Sequence, residues 1–436
     1  CTESLRRVMR DRIALQRYLQ RHVESGLPRH RFGTAHWRNV LVIPTYREAP
    51  AVLDRLTQLA AAEGRTLVIL LLNRPVSDGD PQANASLREA LRCLPRAHRD
   101  TVPVHCLNVH TDVYLHDMET LQGPTPDVLG VGLARKTGCD LALQWMVAGG
   151  ISGQWLCNTD ADATLPPDYF GQLDSAGPDA VAAVFPFRHV PGEDAACDSA
   201  TALYELRLHQ YVLGLEYAGS PYAYHSLGSC VAVRASAYAH VRGFPKRAGA
   251  EDFYLLNKLA KLGPVARLQG DCIRLQSRHS TRVPFGTGPA VAAILAGGQP
   301  HEAAIFYHPR CFEALAAVLA SVAELAESPD QELAVLLGRQ GLDPVVAAQA
   351  QRALHSLNIP VALAHCRRQC RSSAQFQRQF HQWFDAFRTL KFIHAIRDAG
   401  WPQQSLAQLE ADLGVADSRQ RGERQGCTRI ESGASP

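Results

Sequence analysis

The stretch Asn39–Tyr46 reads NVLVIPTY, in which four apolar residues, Val40 to Ile43, lead into a Pro-Thr-Tyr loop. A short apolar run that ends in loop residues is typical of a buried strand in a parallel sheet. A helical pattern follows at 49–62, and a second apolar run, TLVILLL, occupies Thr66–Leu72. Two parallel strands joined by a helix form a right-handed βαβ unit. The sequence therefore predicts an α/β domain built on a mostly parallel central sheet.

The alternation of strand-like and helix-like segments continues downstream. Strands are predicted at 102–109, 155–158, 180–187, 229–234 and 264–268, and helices at 133–147, 199–217 and 251–262. From about residue 308 onward helical periodicity dominates, through 315–325, 344–357 and 376–399. We therefore expect four parts: an N-terminal helical extension (1–38), an α/β catalytic domain (39–300), a helical C-terminal domain (301–416) and a disordered tail (417–436).

The composition and charge are those of an ordinary globular protein. Hydrophobic residues make up 46% of the 436 residues, charged residues make up 20%, and the formal net charge is +3. These values are ordinary for a globular protein and give no support for nucleic-acid binding. The twelve cysteines include no CxxC pair, and Cys366 and Cys370 are best explained as thiols that pack between helices. We infer a reducing compartment, and we expect the protein to be cytoplasmic.

The first 38 residues are basic and helix-like. No apolar segment typical of a signal peptide occurs there, and no apolar run in the chain reaches the ~20 residues that span a bilayer. The predicted helix is expected to pack on the domain, with peripheral attachment to the inner face of a membrane as the alternative. Its arginines are Arg6, Arg7, Arg10, Arg12, Arg17 and Arg21.

Two carboxylates directly follow one of the predicted strands. The segment Trp155–Asp162 reads WLCNTDAD, so Asp160 and Asp162 are one residue apart at the carboxyl end of the strand. Open parallel sheets bind ligands at this edge, and two neighbouring carboxylates repel unless a cation lies between them. We expect Mg²⁺ or Mn²⁺ that also binds a diphosphate. The alternative is a turn or a helix cap in which Asp162 or Thr164 starts the next helix.

Over roughly residues 39–285 the chain resembles family-2 glycosyltransferases, which have the GT-A fold and bind a nucleotide-diphospho-sugar. The opening segment IPTYRE, residues 43–48, is similar to the family's "IPTYNE" loop, with Arg47 in place of the usual Asn. The resemblance implies that this loop lies against the nucleoside. The residues it assigns there are Pro44, Thr45, Tyr46 and Glu48.

The chain departs from the family after the second strand. The family has an Asp-Asp-Gly-Ser turn that hydrogen-bonds the base, whereas here Asn73, Arg74 and Pro75 follow. We assign the hydrogen-bonding role to Asn73, and the identity of the base stays open.

A glycine-containing segment, GVGLARKTG at 130–138, resembles the family's "G-x-G-x-A-R-N-x-G" sequence. The resemblance implies that Arg135, near the start of a helix, faces the nucleotide. Glycines that allow close backbone approach and a helix N-terminus with a guanidinium both favour an anion. The alternative is a plain loop that enters a helix.

The block formed by GSCVAVR at 228–234, GFP at 243–245 and AEDFYL at 250–255 resembles the family's segment that carries the catalytic base. The resemblance implies that Asp252 deprotonates the acceptor hydroxyl, with Glu251 beside it. In the alternative interpretation both are first-turn acids that the helix dipole favours.

A predicted loop, QSRHSTRVPFGTG at 276–288, concentrates basic residues. Many GT-A enzymes place such residues on the metal or the leaving diphosphate. We therefore expect Arg278 and Arg282 to bind phosphate, and His279 to bind the metal, with a surface histidine as the alternative.

Together these patterns predict metal-dependent transfer of a hexosyl group to the hydroxyl of a saccharide, a lipid-linked glycan or a small molecule, with inversion. One alternative is a retaining GT-A enzyme similar to glucosyl-3-phosphoglycerate and mannosylglycerate synthases. A second is nucleotidyl transfer, which is less favoured because Pro44–Pro50 lacks a Gly-rich basic loop. A third alternative, a binding module without catalytic activity, would be favoured only if the carboxylates of Asp160 and Asp162 bound no metal.

Overall fold

The computed structural model describes residues 2–59, 63–192, 194–280, 286–327 and 333–414. The chain divides into two compact units, Cys1–Asp198 with Tyr224–Pro289, and Ser199–Ala223 with Ala290–Pro436. The second unit thus includes a segment that the sequence analysis assigned to the catalytic domain. The predicted boundaries of the four parts stay predictions, and the predicted tail, 417–436, lies outside the described residues.

The strands are β1 (Asn39–Thr45), β2 (Thr66–Leu72), β3 (Arg96–Arg99), β4 (Val102–Cys106), β5 (Thr111–Asp117), β6 (Trp155–Asn158), β7 (Ala163–Thr164), β8 (Ala182–Val184), β9 (Phe187–Val190), β10 (Val231–Arg234), β11 (Val265–Arg267) and β12 (Ile273–Gln276). The helices are α1 (Thr2–Arg21), α2 (Ala51–Thr57), α3 (Ala85–Cys93), α4 (Met118–Gln122), α5 (Gly130–Val147), α6 (Ala195–Tyr217), α7 (Ala235–His240), α8 (Glu251–Leu259), α9 (Thr287–Ala296), α10 (Pro309–Ala320), α11 (Val322–Glu327), α12 (Leu333–Arg339), α13 (Pro344–Ser356), α14 (Ile359–Gln369), α15 (Ser373–Trp383), α16 (Ala386–Asp398) and α17 (Leu406–Asp412). Short 3₁₀ helices lie at Gly171–Ala176, Gly228–Cys230 and Pro300–Glu302.

A nine-stranded sheet organises the first unit, in the order β11-β8-β10-β6-β1-β2-β5-β4-β3. Strand β10 is antiparallel to both of its neighbours, and so is β4, whereas the other pairings are parallel. Seven of the nine strands therefore run in one direction. The predicted α/β fold with a mostly parallel central sheet is confirmed, as is the helical region that follows it.

The predicted βαβ unit forms the centre of this sheet. Strands β1 and β2 pair along their whole length, from Asn39 opposite Thr66 to Thr45 opposite Leu72. All seven residues of β2 are buried, which explains the uninterrupted apolar run. On the other side of β1, β6 pairs in parallel through Cys157 and Asn158. The loops after β1 and β6 therefore leave the sheet at the same edge.

One central strand was not predicted. Strand β5 reads TDVYLHD and pairs with β2 in parallel. Its buried Asp112 accepts hydrogen bonds from the Trp37 indole and from the guanidinium groups of Arg65 and Arg99. A polar residue in a buried strand is stable when its hydrogen bonds are made, but such a strand lacks the apolar pattern that sequence analysis detects.

The predicted strand at 180–187 is two strands that belong to different sheets. Strand β8 lies in the large sheet, and β9 pairs with β12 in a three-stranded sheet of order β7-β12-β9. Phe185 and Pro186 separate β8 from β9. Proline ends the first strand because it has no N–H to donate to a neighbouring strand. Strand β12, also not predicted, ends where the loop of Arg278 begins.

The second unit is helical and has its own apolar core. Tyr211 of α6 contacts the ring of Phe312 in α10, and Leu215 is buried in the same core, which explains why most of α6 groups with the C-terminal helices. The predicted helix at 376–399 is interrupted near Phe384, where Asp385 caps α16 by accepting from the Arg388 N–H. The described helices include none long and apolar enough to cross a membrane.

Candidate active site

Asp160, Ala161 and Asp162, here called the DxD turn, follow β6. Asn158, the last strand residue, is fully buried, while the side chains of Asp160 and Asp162 are 43% and 23% exposed. A donor that the sequence analysis missed holds this turn, because Arg55 of α2 donates from Nη2 to the Ala161 carbonyl. Its only sequence signal is a basic residue in the last turn of a helix, which is too common to indicate a function.

Arg135 joins two acidic motifs that are far apart in the chain. Its guanidinium is 2% exposed, donates from Nη2 to Asp160 Oδ1 at 2.5 Å and donates from Nε to Glu251 Oε1 at 2.9 Å. These partners lie 25 and 116 residues away in sequence. The third nitrogen, Nη1, is buried and has no hydrogen-bond partner among the described residues. A buried donor without a partner is costly, so this nitrogen marks a place where a ligand oxygen would stabilise the site.

A glycine leaves the space that the Arg135 guanidinium fills. A Cβ atom at Gly228 would lie 2.6 Å from Arg135 Nη2, closer than real side chains approach. Gly228 begins the 3₁₀ turn before β10, so the strand start and the guanidinium pack directly together. A larger residue at position 228 would therefore displace the Arg135 guanidinium from this position.

The glycines of the G-x-G segment approach protein backbone. A Cβ atom at Gly132 would lie 2.5 Å from the Pro245 carbonyl oxygen, and one at Gly130 would lie 2.6 Å from Ala248 Cα. The Gly132 N–H also donates to the Arg247 carbonyl at 3.0 Å. The close approach that the sequence analysis related to a nucleotide therefore brings the start of α5 against the segment that leads into α8. This packing aligns Arg135 with Glu251.

Glu251 and Asp252 form the first turn of α8, after Ala250 in a left-handed conformation (φ 58°). Glu251 is buried, and burial raises the pKa of its carboxyl group while the charge of Arg135 opposes that rise. Asp252 retains some exposure, and its Oδ1 accepts from the Phe253 N–H at 2.7 Å. Burial, and then the negative charge of Glu251, raises the pKa of Asp252 to about 7. A carboxyl group whose pKa is raised toward neutral pH is suited to general-base catalysis.

Arg278 connects the DxD turn with the opening loop. Its Nη2 lies 2.5 Å from Asp162 Oδ2 and 3.5 Å from Glu48 Oε1, and its side chain is 34% exposed. The structure therefore brings together three predicted site residues, Glu48, Asp162 and Arg278. Arg282, the other predicted phosphate ligand, lies outside the described residues.

His279, the predicted third metal ligand, pairs with a different acid. Its Nε2 lies 2.8 Å from Asp194 Oδ2, and both side chains are exposed. Residues 2–59, 63–192, 194–280, 286–327 and 333–414 contain no group of three or more His, Cys, Asp or Glu that could hold a metal. Mg²⁺ is commonly bound by one or two carboxylates with phosphate oxygens and water, so Asp160 and Asp162 fit such an ion without His279.

The opening loop is tied to the loop that follows β2. Thr45 Oγ1 donates to the Leu71 carbonyl at 2.9 Å, and the buried Asn73 donates its N–H to the Thr45 carbonyl. Tyr46 Oη donates to Asp78 Oδ2 at 2.7 Å. Pro44 lies opposite Leu71 in the β1–β2 register. Four predicted nucleoside-binding residues therefore lie at one edge of the sheet: Pro44 and Thr45 end β1, Tyr46 follows β1, and Asn73 follows β2.

Arg47 stands where the loop that this segment resembles has asparagine. Its backbone is left-handed (φ 53°), a conformation that asparagine adopts more readily than arginine. The Arg47 N–H donates to Asn84 Oδ1, and its guanidinium lies 2.7 Å from Asp78 Oδ1. The Arg47 and Tyr46 hydrogen bonds lower the pKa of Asp78. These contacts hold the loop despite the unfavourable backbone.

No protein-family model and no curated protein matches the chain. Among solved structures, the chain is similar to Staphylococcus aureus TarS residues 1–349 in complex with UDP-GlcNAc (11% identity, TM-score 0.36, covering 80% of this chain and 91% of that one). It is also similar to the mannosyltransferase PcManGT from Pyrobaculum calidifontis in complex with GDP-Man and Mn²⁺ (15% identity, TM-score 0.34, covering 86% and 95%). Similarity this low assigns neither a family nor a ligand to the chain.

Proposed function

We propose that the chain is a metal-dependent glycosyltransferase that transfers a hexosyl group from a nucleotide-diphospho-sugar to an acceptor hydroxyl with inversion. The observation that carries the proposal is the Arg135 bridge between Asp160 and Glu251. It brings the DxD turn to the residue beside Asp252, whose raised pKa suits a base. A diphosphate site beside a base is the arrangement that suits inverting sugar transfer, because donor and acceptor must react within one pocket.

The donor would lie along the edge formed by the loops after β1, β2 and β6. Pro44, Thr45, Tyr46 and Asn73 are proposed to contact the nucleoside, a role supported by the hydrogen bonds that join their loops. Asp160 and Asp162 would hold Mg²⁺ or Mn²⁺, which would neutralise charge on the leaving diphosphate.

Arg278 and Arg135 have different proposed roles. Arg278 already lies against Asp162 and is partly exposed, so it has the freedom to exchange its carboxylate partner for a phosphate oxygen. Arg135 is buried and held by two carboxylates, which suits a positioning residue. Its unpaired Nη1 offers one more donor to a ligand oxygen.

Asp252 is proposed to accept the acceptor proton as the hydroxyl oxygen attacks the anomeric carbon and the diphosphate leaves. Because only its ionised form accepts a proton, kcat/KM is expected to increase with pH below about 7 and to level off above it. Glu251 contributes by keeping the pKa of Asp252 high, since a second negative charge nearby disfavours ionisation.

The test begins with a thermal-shift screen of nucleotide-sugars with Mn²⁺, which identifies the donor because a bound ligand raises apparent stability. Asp252→Asn is then compared with Asp54→Asn, which removes an exposed carboxylate on α2. We expect Asp252→Asn to retain donor binding but to lose about 10²–10⁴-fold in transfer, together with the pH dependence. Asp54→Asn is expected to behave like the unmodified protein.

The anomeric linkage of the product shows whether the transfer inverts or retains configuration. From an α-linked donor an inverting enzyme gives a β-linked product, which the anomeric proton coupling in NMR identifies. An α-linked product, or full transfer by Asp252→Asn, would contradict the role of Asp252 and support the retaining alternative.

A further inference from the structure

A groove of about 650 Å³ lies along α1 and the end of α7, apart from the site described above. One face of α1 lines it, since the contributing residues recur every three or four positions along the helix. Its lining arginines are Arg6, Arg10, Arg17, Arg21 and Arg242, and His240 also lines it.

The positive charge of this groove is largely uncompensated. All five arginines are exposed, and none has an acidic partner within ion-pair distance among the side chains that the structure describes. Two acids of the same region have other partners: Asp11 lies 3.7 Å from His240 of the groove, and Glu24 lies 3.2 Å from Lys246. Burial, and then the positive charges of Arg242, Lys136 and Arg21, lowers the pKa of His22 on the same lining. The groove therefore favours an anionic partner.

Exposed apolar side chains accompany the charge. Met9 and Ile13 line the groove and are 64% and 45% exposed. Tyr18, which also lines the groove, anchors the helix by donating to the buried Asp140 at 2.6 Å. A fixed helix that presents arginines beside exposed apolar side chains has the composition of an interfacial membrane helix.

We propose that this groove and the face of α1 dock on an anionic phospholipid bilayer. The arginines contact lipid phosphates, and Met9 and Ile13 reach the boundary between headgroups and acyl chains. The surface is less suited to single-stranded nucleic acid, because the described lining residues include no exposed Phe, Tyr or Trp for base stacking. This proposal does not depend on the reaction that the other site performs.

The test is sedimentation of the full chain with phosphatidylcholine vesicles, with and without phosphatidylserine. Binding is expected only with phosphatidylserine and should weaken as salt increases. Arg17→Glu is compared with Arg12→Glu, which makes the same charge change at an exposed position of α1 outside the groove. Since one arginine near an anionic surface is worth about fivefold in affinity, Arg17→Glu should weaken binding about 25-fold, and Arg12→Glu much less.

Two further measurements complete the test. Met9→Ser with Ile13→Ser should weaken vesicle binding while leaving its salt dependence unchanged, because only the apolar contact is removed. If Arg17→Glu does not fold, as judged by circular dichroism, Arg21→Glu replaces it. Equal losses for the groove variant and Arg12→Glu, no dependence on phosphatidylserine, or tighter binding to an RNA oligonucleotide than to vesicles would each overturn the proposal.

Discussion

Two neighbouring residues of α5, Arg135 and Lys136, are both buried cations, but their surroundings differ. All three donors of the Lys136 ammonium are used, because Nζ lies 2.7 Å from Tyr18 Oη, from the His22 carbonyl oxygen and from Asp140 Oδ2. Arg135 has two carboxylate partners, a buried Nη1 without a described partner, and a partner carboxylate, Asp160, that is 43% exposed.

This difference indicates a structural role for the Lys136 network and a functional role for the Arg135 group. Asp140, the partner of Lys136, is fully buried and also accepts hydrogen bonds from Tyr18, Tyr238 and the Glu24 N–H. Such a closed network rigidifies the protein and holds α1 against α5. Burial raises the pKa of Asp140 as well as that of Asp252, so a raised pKa alone does not distinguish the two groups. The Arg135 group is open because it has a buried donor without a described partner and an exposed carboxylate. Incomplete satisfaction and a shifted pKa together are typical of functional sites.

The largest expected effect tests the closed network. Lys136→Met leaves the buried Asp140 carboxylate without its cation, and breaking a buried pair in this way typically costs about 3–5 kcal/mol of the free energy of unfolding. Urea denaturation followed by tryptophan fluorescence measures the loss. Lys246→Met, which removes a surface lysine that is 43% exposed, is the matched control and should change stability by less than about 1 kcal/mol.

Lys136→Met protein that still folds should bind the donor with unchanged affinity, since the network does not face the proposed ligand. If Lys136→Met and Lys246→Met had the same free energy of unfolding, the hydrogen bonds of Lys136 and Asp140 would not be what holds α1 against α5. If Lys136→Met lost donor binding while folded, the distinction between the two neighbouring cations would be wrong.

A smaller effect is expected for Arg135→Lys, which keeps the charge but not the planar fork that reaches two carboxylates. We expect transfer to fall about 10–100-fold, as is usual when a residue that orients a metal ligand is changed. The Mn²⁺ concentration for half-maximal activity should increase, whereas stability should fall less than in Lys136→Met. Loss of stability with an unchanged Mn²⁺ requirement would contradict a positioning role and leave Arg135 as a structural residue.

The parts of the fold that sequence predicted are those whose apolar pattern is uninterrupted. Strands β1, β2 and β6 were recognised because each contains a short run of apolar residues, most of them buried, at 40–43, 67–72 and 155–157. Strand β5 was missed because its buried Asp112 is stabilised by Arg65 and Arg99, partners from distant segments that a local pattern does not reveal.

The candidate site, like the fold, could be predicted only in part. The order of motifs indicated Asp160, Glu251 and Asp252, and the structure brings Asp160 and Glu251 together on Arg135. The packing of Gly132 on the backbone of Pro245 and Arg247 was not predictable. A G-x-G sequence indicates that something approaches the glycine closely, but it does not say whether that is a ligand or another part of the chain. Nor did any pattern indicate that Asp194 would pair with His279.

The central claim is that Asp160 and Asp162 bind a divalent ion together with a nucleotide diphosphate, and calorimetric titration of the matching nucleotide with Mn²⁺ tests it most directly. The comparison needs the unmodified protein, Asp160→Asn with Asp162→Asn, and the control Asp54→Asn. We predict Mn²⁺-dependent binding in the unmodified protein and the control, and none in the double variant, which should remain folded because the change removes charge with little change in volume. Equal Mn²⁺-dependent affinity in all three proteins would contradict the assignment.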